Sequence, residues 1–243
     1  MNLLIDIGNT RLKWAVLQDD SLISSHALLN DEITRHLLIA LWKFQPLPEK
    51  LAIACVGSAS LLELITEVAV ALWPKVDILY ATSQGDALGV CNAYQCSEKL
   101  GVDRWLALVA VRHIYQSSAC IVDCGTAITI DLINVDGKHQ GGFISPGLML
   151  MRKSLSTGTA RLPSNETDYE VGPASFTEAA IYSGTLFAAV GLIEHVLSKQ
   201  PNVGQLILTG GDAEIVAAHL KNKLIIDNEL VLRGLVVVLE GQR

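Results

Sequence analysis

The chain has 243 residues, half of them hydrophobic, and a formal net charge of −7. That length supports one large domain or two of about 120 residues, and the apolar content supplies a core and excludes a disordered chain. The acidic balance excludes a nucleic-acid binder that leans on Lys and Arg, and argues against docking on an anionic membrane. It leaves a nucleotide open, because glycine loops and metal ions carry phosphates on acidic proteins.

No basic segment precedes the first apolar run, and Asp6 interrupts that run, so no signal peptide is expected. No stretch reaches 18 uninterrupted apolar residues; 224–240 is broken by Asp227, Glu229 and Arg233. The expectation is a cytoplasmic protein. Cys55, Cys91, Cys96, Cys120 and Cys124 form no Cys-x-x-Cys pair and have no histidine beside them. They read as reduced thiols in small core positions, with a zinc site as the competing reading.

In chain order, residues 3–17 run apolar to Asp6, turn through Gly8, Asn9 and Thr10, and resume by alternation, with Leu12, Trp14 and Val16 on one face. This is strand, turn, strand. Residues 33–44 have helical spacing, 51–57 form a buried strand ending at Gly57, 60–73 a helix and 76–81 a short strand. Residues 82–99 are polar and read as loop, and 102–116 as an apolar helix. The opening pattern then recurs: 120–147 runs apolar to Asp123, turns at Gly125 and alternates through Thr126, Ile128 and Ile130, with a second turn at Asp136-Gly137. A long helix follows at 176–200. Residues 205–220 repeat the strand, glycine turn and helix of 51–73. Asp6 and Asp123 lie 117 residues apart, close to half the chain. Two similar α/β halves are expected, 1–116 and 117–243, each opening on an Asp-x-Gly hairpin.

Such a hairpin offers a phosphate what it needs. Glycine lets backbone N–H groups approach closely, Thr10 and Thr126 add hydroxyls, and a carboxylate holds hydrated Mg²⁺. Phosphoryl transfer asks mainly for positioning and charge neutralisation. No G-x-x-x-x-G-K-[ST] or G-x-G-x-x-G occurs, so neither a P-loop nor a Rossmann dinucleotide site is supported. A single Asp-x-Gly is an ordinary turn; two at half-chain spacing, with Thr209, Gly210, Gly211 and Asp212, point to a nucleotide site.

These duplicated hairpins resemble the actin/Hsp70/sugar-kinase superfamily. Asp6, Ile7, Gly8, Asn9, Thr10, Arg11, Leu12 and Lys13, then Gly101, Val102, Asp103 and Arg104, then 123–131 and 141–147, resemble in order the type III pantothenate kinases. Residues 154–163 and Thr177 extend the match over nearly the whole chain. The resemblance implies duplicated ribonuclease H-like halves with a cleft between them, and ATP-dependent phosphorylation of pantothenate as the first step towards coenzyme A. It also implies a homodimer needing Mg²⁺ and a monovalent cation, K⁺ or NH₄⁺, with no nucleic-acid or membrane partner.

By the same resemblance Asp103 is the proton acceptor, and Gly101 to Arg104, Tyr94 and Thr177 contact pantothenate. Residues 6–13 and Thr126 bind ATP, Asp6 holds Mg²⁺ through water, and Asp123 ligates the monovalent cation. Gly210 and Gly211 let the adenosine approach, and Asp131 supports its hairpin. Each residue also has a plainer reading: a helix cap for Asp103 and Thr177, a surface ion pair for Arg104, a rim aromatic for Tyr94, an exposed strand lysine for Lys13 and a turn residue for Asp123. The family commonly carries a proline at the position of Ser97, so the stiffness of this loop is in question. The histidines match no motif and read as structural or surface. The competing functions are another small-alcohol kinase of the superfamily, which would alter Tyr94 and Arg104, an accessory factor in gene regulation, and an actin-type structural protein.

Overall fold

The computed structural model describes residues 1–158 and 167–241. The end of the matched segment 154–163 therefore lies outside the described residues. The chain divides into two compact units.

In the first, β1 (Asn2–Ile7) is central because it is buried on both faces. It pairs antiparallel with β2 (Arg11–Gln18) and parallel with β4 (Lys50–Cys55). β3 (Ser21–Leu29) and β5 (Asp77–Tyr80) lie outside them, giving the order β3-β2-β1-β4-β5. Helices α1 (Arg35–Trp42) and α2 (Ala59–Leu72) follow β3 and β4. Their apolar sides meet the sheet in a core containing Leu38, Ile65 and the ring series Trp14, Trp42 and Trp73. The sequence pattern omits β3, whose residues are largely exposed and carry no alternation; a turn through Asp19 and Asp20, both at positive φ, forms it. Loop 82–99 also contains structure: β6 (Asp86–Ala87) and β7 (Val90–Cys91) pair across Leu88 and Gly89, both at positive φ. His113 Nε2 lies 2.9 Å from the Leu88 carbonyl oxygen and pins this hairpin to α3 (Val102–Ile114).

The second unit repeats the plan. β8 (Ala119–Cys124) is central, β9 (Ala127–Ile133) and β10 (His139–Pro146) complete a meander, and β11 (Gln205–Thr209) and β12 (Ile225–Ile226) add in parallel. The order β10-β9-β8-β11-β12 matches the first sheet strand for strand. Both units are ribonuclease H-like α/β sheets. Gly137, at φ +84, makes the expected turn, and Asn134 closes it by accepting from the Asp136 and Lys138 amides. α4 (Leu148–Gly158), α5 (Thr177–Ser198) and α6 (Ala213–Ala217) complete the unit. By length and composition α5 is apolar enough to cross a membrane. It instead buries Leu186, Ala189, Ile193 and Val196 in the core of this unit.

The chain passes from one unit to the other between Tyr115 and Gln116, beside the expected boundary, but the final helix, α7 (Leu230–Glu240), belongs to the first unit and not to the second half where 117–243 placed it. The chain from Glu229 onward packs with Met1–Tyr115, and α7 lies on α3 and β1. Gly234 makes this possible: a Cβ there would collide with the Leu106 carbonyl oxygen. Helix propensity alone predicts that Gly234→Ala stabilises by ~1 kcal/mol. The packing predicts the opposite, a loss of ~1–3 kcal/mol read as a lower urea midpoint at unchanged slope.

Candidate functional site

Asp6 stands at the end of β1, 7% exposed, opposite Lys13 on β2. After it the chain turns tightly. The Gly8 amide donates to the Arg11 carbonyl at 3.0 Å, and Asn30 holds the turn from outside, its side chain donating to Gly8 O at 2.9 Å and its amide to Thr10 O at 2.9 Å. The Gly8 N–H is thus used in closing the turn rather than offered to a ligand. Asn9, Thr10 and Arg11 are exposed, whereas Ile7 and Leu12 are buried in the core and present only backbone. Beyond β4, Val56 and Gly57 both donate to Ile7 O at 3.0 Å. Gly57 passes so close that a Cβ would strike Gly8 O. Burial pushes the Cys55 thiol up; the nearby Asp6 carboxylate adds to the shift, and the hydrogen bond from Gly57 opposes it.

The second unit builds the same arrangement around Asp123. Gly125 donates to Ala127 O at 3.2 Å, and Thr126 is exposed on the turn. Gly210, at φ +94, crosses here as Gly57 does there: a Cβ would meet Asp123 Oδ1 and, at 2.6 Å, the Cys124 carbonyl carbon. Only glycine suits both the backbone angle and the space. The Asp212 amide donates to Cys124 O at 3.0 Å. Burial, then the Asp123 and Asp212 carboxylates, hold the Cys124 thiol far above its ordinary range. Burial and Asp131 push Cys120 up to about 12. Both are inert core thiols. Asp131 bonds His139 Nε2 at 2.9 Å, both buried, and so ties β9 to β10 beside their bulge.

The remaining sequence-identified residues of the first unit gather at the start of α3. The helix is capped by Gly101, not Asp103, which lies one residue inside the first turn. Its Oδ1 accepts the Arg104 amide at 2.8 Å, and the helix N-terminus favours its charge. Arg104 is 7% exposed, and its Nη1 donates to Tyr94 Oη at 2.8 Å with the guanidinium over the ring. Arg104 is too buried to be a surface residue, whereas Tyr94 is half-buried. Val102 is buried and presents backbone only.

Thr177 opens α5 in the second unit; the cap is Phe176, so the hydroxyl of Thr177 is not a cap. It lines a mainly apolar groove of about 590 Å³ between α4 and α5, with Met151, Leu155, Ile181, Thr185 and Ala188. Arg152, buried beneath α5, donates to Thr185 and stacks over Tyr182.

Asn30 and Asn92 escaped the sequence reading. Their signal is the asparagine that turns the chain by bonding nearby backbone, and it is faint beside glycine motifs. Among the described residues no group of three His, Cys, Asp or Glu gathers to hold a metal. A hydrated Mg²⁺ bound through one carboxylate and nucleotide phosphates needs no such group, so single acidic residues beside exposed turns fit it.

The sequence profile of the type III pantothenate kinase family matches residues 2–199. A type III pantothenate kinase of Nitrosococcus oceani is 38% identical, with 97% of this chain and 92% of the relative covered. The solved structure of a Campylobacter jejuni protein placed in the Baf family of transcriptional activators is similar at TM-score 0.60 and 25% identity, covering 99% and 98% of the two chains. The activator of 2-hydroxyisocaproyl-CoA dehydratase from Clostridium difficile, solved with bound ADPNP, shares the fold at TM-score 0.57 and 11% identity, covering 99% and 95%.

Proposed function

Because the chain belongs to the type III pantothenate kinases, enzymes that phosphorylate pantothenate with ATP at the head of coenzyme A synthesis, we propose that it does so by direct in-line transfer with Asp103 as base. The observation that carries this reading is the start of α3, where a carboxylate in the first helical turn adjoins an arginine fixed by a tyrosine hydroxyl. The helix end keeps Asp103 ionised and able to accept a proton. The primary hydroxyl oxygen of pantothenate attacks the γ-phosphorus, forming an O–P bond as the bond to the bridging oxygen breaks. The hydroxyl proton passes to Asp103 and ADP departs. Arg104, a planar donor fork, orients the pantothenate carboxylate, with Tyr94 and the backbone of Gly101 and Val102 beside it.

In the first unit Asn9, Thr10, Arg11 and Lys13 meet nucleotide phosphates, Gly8 shapes the turn, and Ile7 and Leu12 offer backbone only; in the second, Thr126 offers its hydroxyl to a phosphate. Asp6 would hold Mg²⁺ through water and Asp123 a monovalent cation, K⁺ or NH₄⁺; these ions neutralise phosphate charge. Thr177 contacts pantothenate. Met149 on α4 and Phe176 and Phe187 at the start of and within α5 are exposed large hydrophobics, and we assign the face of these helices to a homodimer; a solution mass of 26.2 kDa would contradict it. The acidic balance opposes direct contact with nucleic acid or an anionic membrane, and five free cysteines suit a reducing, cytoplasmic setting.

Asp103→Asn should lower kcat by roughly a hundredfold or more while ADP binding by calorimetry stays intact. Loss of folding instead would make Asp103 structural. Thr177→Val should raise KM for pantothenate and leave KM for ATP unchanged. Replacing K⁺ by Na⁺ should lower turnover of the native enzyme, and Asp123→Asn should remove that difference.

A further inference from the structure

The segment that carries Tyr94 has little core to hold it: Cys91, Ala93, Gln95 and Cys96 are all exposed. Hydrogen bonds must therefore supply its order, and they converge on Asn92. Its Oδ1 accepts the Tyr94 amide at 3.0 Å. Its Nδ2 donates to Gln84 O at 3.1 Å and to Ser97 O at 3.3 Å. Its own amide donates to Gly85 O at 2.7 Å. One half-buried side chain thus ties together the stretch before β6, the tyrosine and the single turn of 3-10 helix (Ser97–Lys99) that leads to Gly101. A second stitch, Ser83 Oγ to Leu100 O at 2.7 Å, closes the same ends.

We propose that Asn92 is a positioning residue for the acceptor substrate, holding Tyr94 where its hydroxyl fixes the Arg104 guanidinium. The proposal rests on the assignment of Tyr94 and Arg104 to the pantothenate side. Without Asn92 the loop samples conformations in which Tyr94 has left Arg104. Apparent affinity then falls by the fraction of enzyme that remains competent. Saturating pantothenate reselects that fraction, so KM rises while kcat holds.

The loop also offers a means of rescue. Ser97 is the first residue of its 3-10 turn, and the preceding Cys96 is extended at φ −112° and ψ 101°. These are the conditions under which proline is tolerated, since it fixes φ and restrains its predecessor to that region. Ser97→Pro should therefore restore by chain stiffness part of what Asn92→Ala loses.

The test is steady-state kinetics on Asn92→Ala, Asn92→Ala with Ser97→Pro, and Tyr94→Phe, each checked for unchanged thermal midpoint. For Asn92→Ala the expected result is a rise of about tenfold in KM for pantothenate, with KM for ATP and kcat within about twofold. The proline should recover a large part of that rise. If Tyr94→Phe raises KM for pantothenate and Asn92→Ala does not, the proposal is overturned and the assignment of Tyr94 stands. If Tyr94→Phe leaves that KM unchanged, the assignment itself fails and the proposal with it. A fall in kcat with a rise in both KM values, unrescued by proline, would make Asn92 a residue of general stability and overturn the proposal as well.

Discussion

Each unit depends on one close approach of backbone to backbone. The chain leaving the parallel strand beside the central one must cross the turn that ends the central strand. In the first unit Gly57 lies on Gly8 O, and in the second Gly210 lies on Asp123 and Cys124. The crossing fixes the turn from behind and directs its exposed residues, Asn9 and Thr10 or Thr126, outwards. It also explains why a carboxylate is tolerated at the end of a buried strand. Asp6 and Asp123 sit at the rim where two strand ends and a glycine meet, and the charge is felt by the thiols behind it. A side chain at either glycine would push the turn away and move the acidic residue with it.

On this frame the two units diverge. The first adds loop 82–100 and helix α3, which bring a carboxylate, an arginine and a tyrosine together at a helix N-terminus. The second adds α4 and α5, whose groove contains Thr177. In the proposed function the repeated hairpins take the nucleotide and the added parts the acceptor, since charge neutralisation and placement of the attacking hydroxyl are separate requirements of phosphoryl transfer.

Much of this was legible in the sequence because it is written in glycines and period-two alternation. The Asp-x-Gly echo at half-chain spacing announced the duplication, and both sheets carry it out with the same strand order. β3 was not legible: an exposed edge strand carries no alternating pattern, and its partner β2 recruits it through a turn of two aspartates. The return of α7 to the first unit was hidden because an apolar helix does not state which sheet it covers; Gly234, pressed on α3, marks it only in three dimensions. Ile7, Leu12 and Val102 belong to the motifs, but burial limits them to backbone contacts. The plainer reading of Asp103 as a helix cap gives way because the cap is Gly101, two residues earlier, a distinction that sequence signals at helix ends do not resolve.

Phosphoryl transfer to the pantothenate hydroxyl, rather than to water, is the step on which the proposed chemistry turns. The most direct measurement is ³¹P NMR of the enzyme with ATP, pantothenate, Mg²⁺ and K⁺. A new phosphomonoester resonance should grow in step with ADP, with no inorganic phosphate beyond the enzyme-free control. Conversion of ATP to ADP and inorganic phosphate without that resonance, or no turnover of pantothenate with any monovalent cation, would contradict the proposed transfer.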